Sequence, residues 1–149
     1  MRIEDEIKQD RFPNALSKAI LNILLTADRI STATNTTLKP FGVSKEQYNV
    51  LRILRGQYPK PSPLQRISER MISQSSNATR LVEKLRTRGL VEQNSCAANR
   101  RKVDILITQQ GMDLLGAIAP HLKASGHWEG HITEEEAEAL NRILDKLRG

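Results

Sequence analysis

A chain of 149 residues suits a single domain, and its balance of 38% apolar and 27% charged residues is that of a globular protein with a core of its own. One cysteine, Cys96, excludes an internal disulfide framework and fits a reducing cytoplasm, while 3% aromatic residues argue against a large aromatic ligand box. The formal net charge of +6 points to a polyanion, either nucleic acid or an acidic membrane surface, although plain solubility would use the same charge. The opening MRIEDEIKQD is charged from the start and lacks the apolar stretch of a signal peptide. No apolar run approaches the roughly 20 residues that span a bilayer, so no membrane partner is expected.

The first element is a helix from about Asn14 to Leu38, with Leu16, Ala19, Ile20, Ile23, Leu24, Ala27 and Ile30 at helical spacing and Pro40 and Gly42 ending it. Ser44 and Gln47 form a capping box that opens a second helix, whose buried stripe is Val50, Leu51 and Leu54 and whose stop is Gly56. A third helix is expected with Ser62 as cap, Pro63 in its first position and Gln65 completing a box; Leu64, Ile67 and Met71 share its inner face. After a tight turn at Ile72–Gln74, a fourth helix from about Ser75 to Arg88 carries a narrow apolar stripe, Ala78, Leu81, Val82 and Leu85, and is otherwise polar or basic until Gly89.

The period then changes from helical to alternating. Leu90–Gln93 and Val103–Ile107 read as two strands, with Asn94–Lys102 as a polar, basic, protruding hairpin loop. Thr108 caps a fifth helix carrying Met112, Leu115, Ile118, Ala119 and Leu122, in which Pro120 is expected to make a kink. Thr133 and Glu136 form a third capping box before a last helix with Ala137, Leu140, Ile143, Leu144 and Leu147.

The basic charge is local. From Ser75 to Lys102 seven cations (Arg80, Lys84, Arg86, Arg88, Arg100, Arg101, Lys102) stand against Glu83 and Glu92, which accounts for five of the six net charges. After Trp128 the balance turns acidic. Two short helices joined by a tight turn, the second of them basic and followed by a hairpin, read as a winged helix-turn-helix: mainly α with a small β-hairpin wing. A helix of this kind fits the major groove, and a basic hairpin beside it reaches the backbone or the minor groove.

Three stretches resemble the MarR family of bacterial transcription factors. They are Ile67-Ser68-Glu69-Arg70-Met71; Ser75 through Leu85 followed by Gly89-Leu90-Val91; and Asn99-Arg100-Arg101-Lys102-Val103 through Leu106-Ile107-Thr108 with Gly111. The likeness runs from about Val43 to Leu122, with the terminal helices agreeing in pattern only. It implies a single domain in which 43–108 form the DNA-binding region and 14–39 with 108–149 a helical dimerisation region. It places Ser75, Ser76, Asn77, Thr79 and Arg80 at the DNA-facing start of the recognition helix and Arg100 and Arg101 in the wing, with Lys84 and Lys102 beside them. Leu16, Ile20, Ile23, Leu140, Ile143, Leu144 and Leu147 are the expected dimer contacts. The chain departs from the family pattern at Asn99, where an acid usually braces a wing arginine, and at Gln93, where an arginine is frequent.

Each of these residues also has a plainer reading. The arginines read as solvated charges, Ser75–Asn77 as helix-start residues, and Lys84 and Arg86 as a phosphate-facing or solvated flank. Cys96 is a redox switch in the wing or an incidental thiol. His127 and His131, four apart, would share a metal only on a continuous helix that Gly126 and Gly130 weaken, so no metal is expected. Tyr48 and Trp128 line an effector pocket or pack in the core. No phosphate loop or nucleophile elbow appears, so no enzyme and no cofactor are expected. The reading that results is a cytoplasmic homodimeric repressor, specific for a pseudo-palindromic operator in double-stranded DNA and released by a small-molecule or redox effector. The alternative is a winged-helix interaction module whose basic face meets an acidic protein.

Overall fold

The computed structural model describes residues 1–96, 99–125 and 130–149, and along residues 95, 96 and 99–102 it describes the backbone alone. Seven helices and three strands are seen among them. α1 (Ile3–Ile7) lies ahead of the long α2 (Ala15–Leu38), which Asn14 caps by accepting the Ser17 N–H at 2.8 Å. A 3-10 turn at Lys39–Phe41 ends in Gly42, whose φ of 68° is the left-handed conformation that favours glycine. α3 (Lys45–Gln57) opens on the expected box: Ser44 Oγ accepts the Gln47 N–H at 3.1 Å, and Gln47 Oε1 accepts the Ser44 N–H at 2.9 Å. α3 ends at Gln57, one residue beyond Gly56, so the glycine expected as its stop is the last helical residue but one.

The next segment corrects the sequence reading. Ser62 is not a helix cap. Ser62–Pro63 form a two-residue strand, β1, with Ser62 opposite Ile105 and its side chain buried, and α4 (Leu64–Arg70) follows without a side-chain cap. The Ser-Pro pair was ambiguous because serine and proline suit a helix start and proline also suits an edge strand. α5 (Ala78–Thr87) begins three residues later than expected, with Asn77 as its cap. β2 (Val91–Cys96) and β3 (Asn99–Ile107) pair antiparallel far into the segment expected to be loop, up to Cys96 opposite Asn99, with a register shift at Ser95–Cys96. The sheet order is β1-β3-β2, so a third strand joins the expected hairpin.

α6 (Gln109–Ser125) continues through Pro120 as one element, and α7 (Glu134–Arg148) starts on the Thr133–Glu136 box as expected. The core is one cluster centred on α3, α4, α5 and the sheet. Leu51, Leu54, Ile67, Leu85, Ile105, Leu115 and Ile118 are all fully buried in it. Truncating one of these, Leu85 for example, to alanine would cost about 2–5 kcal/mol through lost burial and the cavity left behind. The outer helices differ: α2 buries only Leu38, and α7 buries nothing. Among the described residues no helix is long and apolar enough to cross a membrane.

Candidate nucleic-acid interface

α5 is amphipathic in the narrow sense the sequence predicts. Ala78, Val82 and Leu85 are buried, Leu81 is half-buried, and this stripe seats the helix against α3. Arg80, Lys84 and Thr87, at i, i+4 and i+7, run down the opposite, exposed face. No acid stands in the first turn, so the partial positive charge of the helix start is unopposed there.

Ser75, Ser76 and Asn77 lie in the turn ahead of α5 rather than in its first turn. Asn77 Oδ1 accepts the Arg80 N–H at 3.0 Å, so its carbonyl is committed to capping while its amide still has donors to offer. Ser73 and Ser75 hydroxyls meet at 3.4 Å. Thr79 and Arg80 are exposed.

The far end of α5 is locked in two ways. Gly89 takes φ 71°, and the Leu90 N–H returns to the Leu85 carbonyl at 3.0 Å. Arg88 then donates to the Gly42 and Phe41 carbonyls, at 2.5 and 3.1 Å. That arginine is a structural tie between the end of α5 and the 3-10 turn that follows α2. Arg86 is bound to Glu83 on its own helix, Nε to Oε2 at 3.1 Å and Nη2 to Oε1 at 2.6 Å. These bonds hold the Glu83 carboxyl below its ordinary value and raise the Arg86 guanidinium above its own. Both line a groove of about 360 Å³ with Gln93 of β2 and Val103 of β3, between the basic helix and the hairpin.

Arg100, Arg101 and Lys102 fall on the β3 backbone, where sequence reading expected a loop; their side chains, with that of Cys96, lie outside those described. His127 and Trp128 also lie outside the described residues. Among the described residues no cluster of histidine, cysteine and carboxylate side chains is arranged for a metal.

A second feature escaped the sequence except at Tyr48. A largely apolar cleft of about 680 Å³ opens between α2, α3 and the turn after α4, and Ile30, Lys45, Tyr48, Asn49, Arg52 and Ile72 are among the residues that line it. Lys45 Nζ reaches Ser31 Oγ at 2.5 Å across its wall. The sequence signal was faint: an isoleucine, Ile72, placed in a polar turn, where it is 90% exposed.

A three-stranded sheet with a hairpin wing, set against α3, α4 and α5, defines a winged helix-turn-helix protein. No family model matches the chain. The HTH-type transcriptional regulator MhqR of Bacillus subtilis (strain 168) is 28% identical over 115 residues, which cover 76% of this chain and 77% of that protein. Among solved structures, a MarR transcription factor from Planctomyces limnophilus is 29% identical with a TM-score of 0.70, covering 91% of this chain and 98% of that one. BpsR of Bordetella bronchiseptica, whose structure is described as a mechanism for regulation of DNA binding by 6-hydroxynicotinic acid, is 24% identical with a TM-score of 0.74, covering 92% and 98%. The chain has the winged helix-turn-helix fold of these structures and is similar in sequence to MarR-type regulators.

Proposed function

We infer that this chain is a DNA-binding transcription regulator that reads a specific duplex with α5 and grips the backbone with the wing. The observation that carries this reading is the exposed face of α5: a capped helix start with no acid in its first turn, followed by Arg80 and Lys84 on one line. Ser75, Ser76, Asn77, Thr79 and Arg80 supply the base-facing end, and Lys84, Arg100, Arg101 and Lys102 the phosphate contacts. Phosphate neutralisation would carry most of the affinity and base edges the selectivity.

The working unit in this reading is a homodimer on a pseudo-palindromic operator, acting as a repressor in the cytoplasm, where the DNA is. Region 43–108 binds DNA; 14–39 and 108–149 hold the dimer. Support comes from the apolar side chains that the single chain leaves uncovered on its terminal helices: Leu16, Ile20, Leu140, Ile143 and Leu147 are exposed, and Ile23 and Leu144 only half-buried. The 680 Å³ cleft supports a small-molecule effector, as does the naming of BpsR for ligand-regulated DNA binding. An effector would release DNA by binding better to a conformer in which the two reading helices are wrongly spaced.

The test is fluorescence anisotropy against duplex DNA from the upstream region of the chain's own gene, beside a scrambled duplex, across a salt series. Tight, salt-steep and selective binding is expected, weakened in Arg80→Ala and Arg100→Ala variants that remain folded. Equal, weak binding to both duplexes, with capture of an acidic protein instead, would replace this reading with an interaction module. Leu140→Glu with Leu144→Glu should yield monomers by light scattering.

A further inference from the structure

A side chain of α3 ties down the turn that launches α5. Asn49 stands half-buried in the middle of α3, and its Oδ1 accepts the backbone N–H of Ile72 at 3.0 Å, 23 residues further along the chain. On one side of this bond Met71 is anchored in the core, and Gln74 Nε2 donates to its carbonyl at 2.7 Å. On the other side the chain runs Ser73 to Asn77 and enters α5. The Ile72 side chain is 90% exposed, so burial does nothing to fix the backbone at that position. The bond itself lies in the wall of the cleft, which Asn49, Ile72 and Ser73 help to line.

We propose that Asn49 is a positioning residue for selective DNA reading. By holding the Ile72 amide it sets where the start of α5 stands relative to α3, and so how Asn77, Thr79 and Arg80 meet base edges. The assignment rests on the DNA-binding reading above. An exposed amide finds water when its partner is lost, so the bond contributes geometry more than it spares a buried donor. Geometry is what base readout depends on: a hydrogen bond weakens steeply with misalignment, whereas phosphate neutralisation follows charge and tolerates small displacements. Loss of the tie therefore acts on selectivity and spares non-specific affinity.

The experiment begins with the parent protein selecting duplexes from a random pool. The enriched duplex and a scrambled one are then titrated by anisotropy across a salt series with the parent, Asn49→Leu and Asn49→Asp. Leucine keeps the volume and removes the acceptor; aspartate keeps the acceptor, and its added charge cancels in the ratio of the two affinities. Asn49→Leu should lower that ratio about five- to tenfold, with the scrambled-duplex affinity and its salt slope unchanged. Asn49→Asp should restore most of the ratio. Hydrogen exchange at the Ile72 amide should quicken in the leucine variant alone. An unchanged ratio in Asn49→Leu overturns the assignment, as does a fall of both affinities in proportion to a lowered melting temperature, which a merely structural role would give. A parent that enriches no duplex overturns the DNA-binding reading and this assignment with it, whereas a selective parent beside an equally selective leucine variant overturns the assignment alone.

Discussion

Glu83 holds Arg86 in a two-point grip on the exposed side of α5, through Nε–Oε2 and Nη2–Oε1 hydrogen bonds of 3.1 and 2.6 Å. The pair lines the groove between the basic helix and the hairpin, so one cation of α5 is already paired within its own helix. In Glu83→Gln the guanidinium loses its ionic partner and a carboxylate is removed from the face proposed to meet DNA. Non-specific duplex affinity should rise, and the slope of log K against log salt should steepen by about 0.9 if Arg86 then meets one phosphate. A salt titration of both proteins on one scrambled duplex reads this directly; an unchanged slope would show that Arg86 points away from the backbone.

Asn77 has two separable capacities, a cap and a pair of amide donors. Asn77→Ala should lose about 1 kcal/mol of stability by urea unfolding, the usual cost of an uncapped helix start. Asn77→Asp keeps the cap and should match the parent in that unfolding, yet bind the enriched duplex more weakly, because its carboxylate can only accept. Equal DNA affinity in the aspartate variant would confine Asn77 to capping.

How far the chain could be read in advance follows from the kind of signal each part carries. α2, α3, α5 and α7 were legible because each joins a 3.6-residue stripe to a polar cap, and the Ser44–Gln47 and Thr133–Glu136 boxes appear as expected. β1 was not, because two residues cannot show a period and Ser62-Pro63 fits a helix start equally well. α1, at five residues, carries too short a pattern to register. The basic face of α5 was visible as a charge cluster, but the partition within it was not: Arg88 spans 46 residues to reach the Gly42 carbonyl, and Asn49 spans 23 to reach Ile72. Such pairings are made by tertiary packing and leave no local trace.

Gly111 is set where no side chain fits. A Cβ there would lie 2.3 Å from the Leu90 carbonyl oxygen and 2.7 Å from Ile107 Cγ1. The first turn of α6 is pressed onto β2 and β3 at this point. Thr108 stitches it down, donating its hydroxyl to the Gly89 carbonyl at 2.7 Å while accepting the Gly111 N–H at 3.1 Å. Because the nearer obstacle is backbone, Gly111→Ala must shift α6 or the hairpin and should cost about 3 kcal/mol, at the upper end of overpacking penalties. Gly116→Ala, where nothing stands within 4 Å, is the control and should be neutral or slightly stabilising in the same thermal melts.

The N-terminal α1 is fastened to α2 by charge. Glu4 accepts from Lys18 and pairs with Arg2, and Glu6 pairs with Arg29 at 2.7 Å, both carboxylates being mostly shielded from solvent. The Lys18 hydrogen bond is the main reason that the Glu4 carboxyl falls from an ordinary 4.5 to about 2. A carboxyl whose pKa is lower in the folded than in the unfolded chain binds fewer protons when folded, so its contribution is complete above about pH 4.5 and drains away as pH falls toward 2. The docking of α1 should therefore loosen over that window while the core, which contains no carboxylate among the described buried residues, still holds. Limited proteolysis or hydrogen exchange of residues 3–7 between pH 6 and pH 2 should register the release, and Lys18→Ala should shift it to higher pH. Release at one pH in both proteins would mean that α1 is held by Ile3, which is buried, and not by its charges.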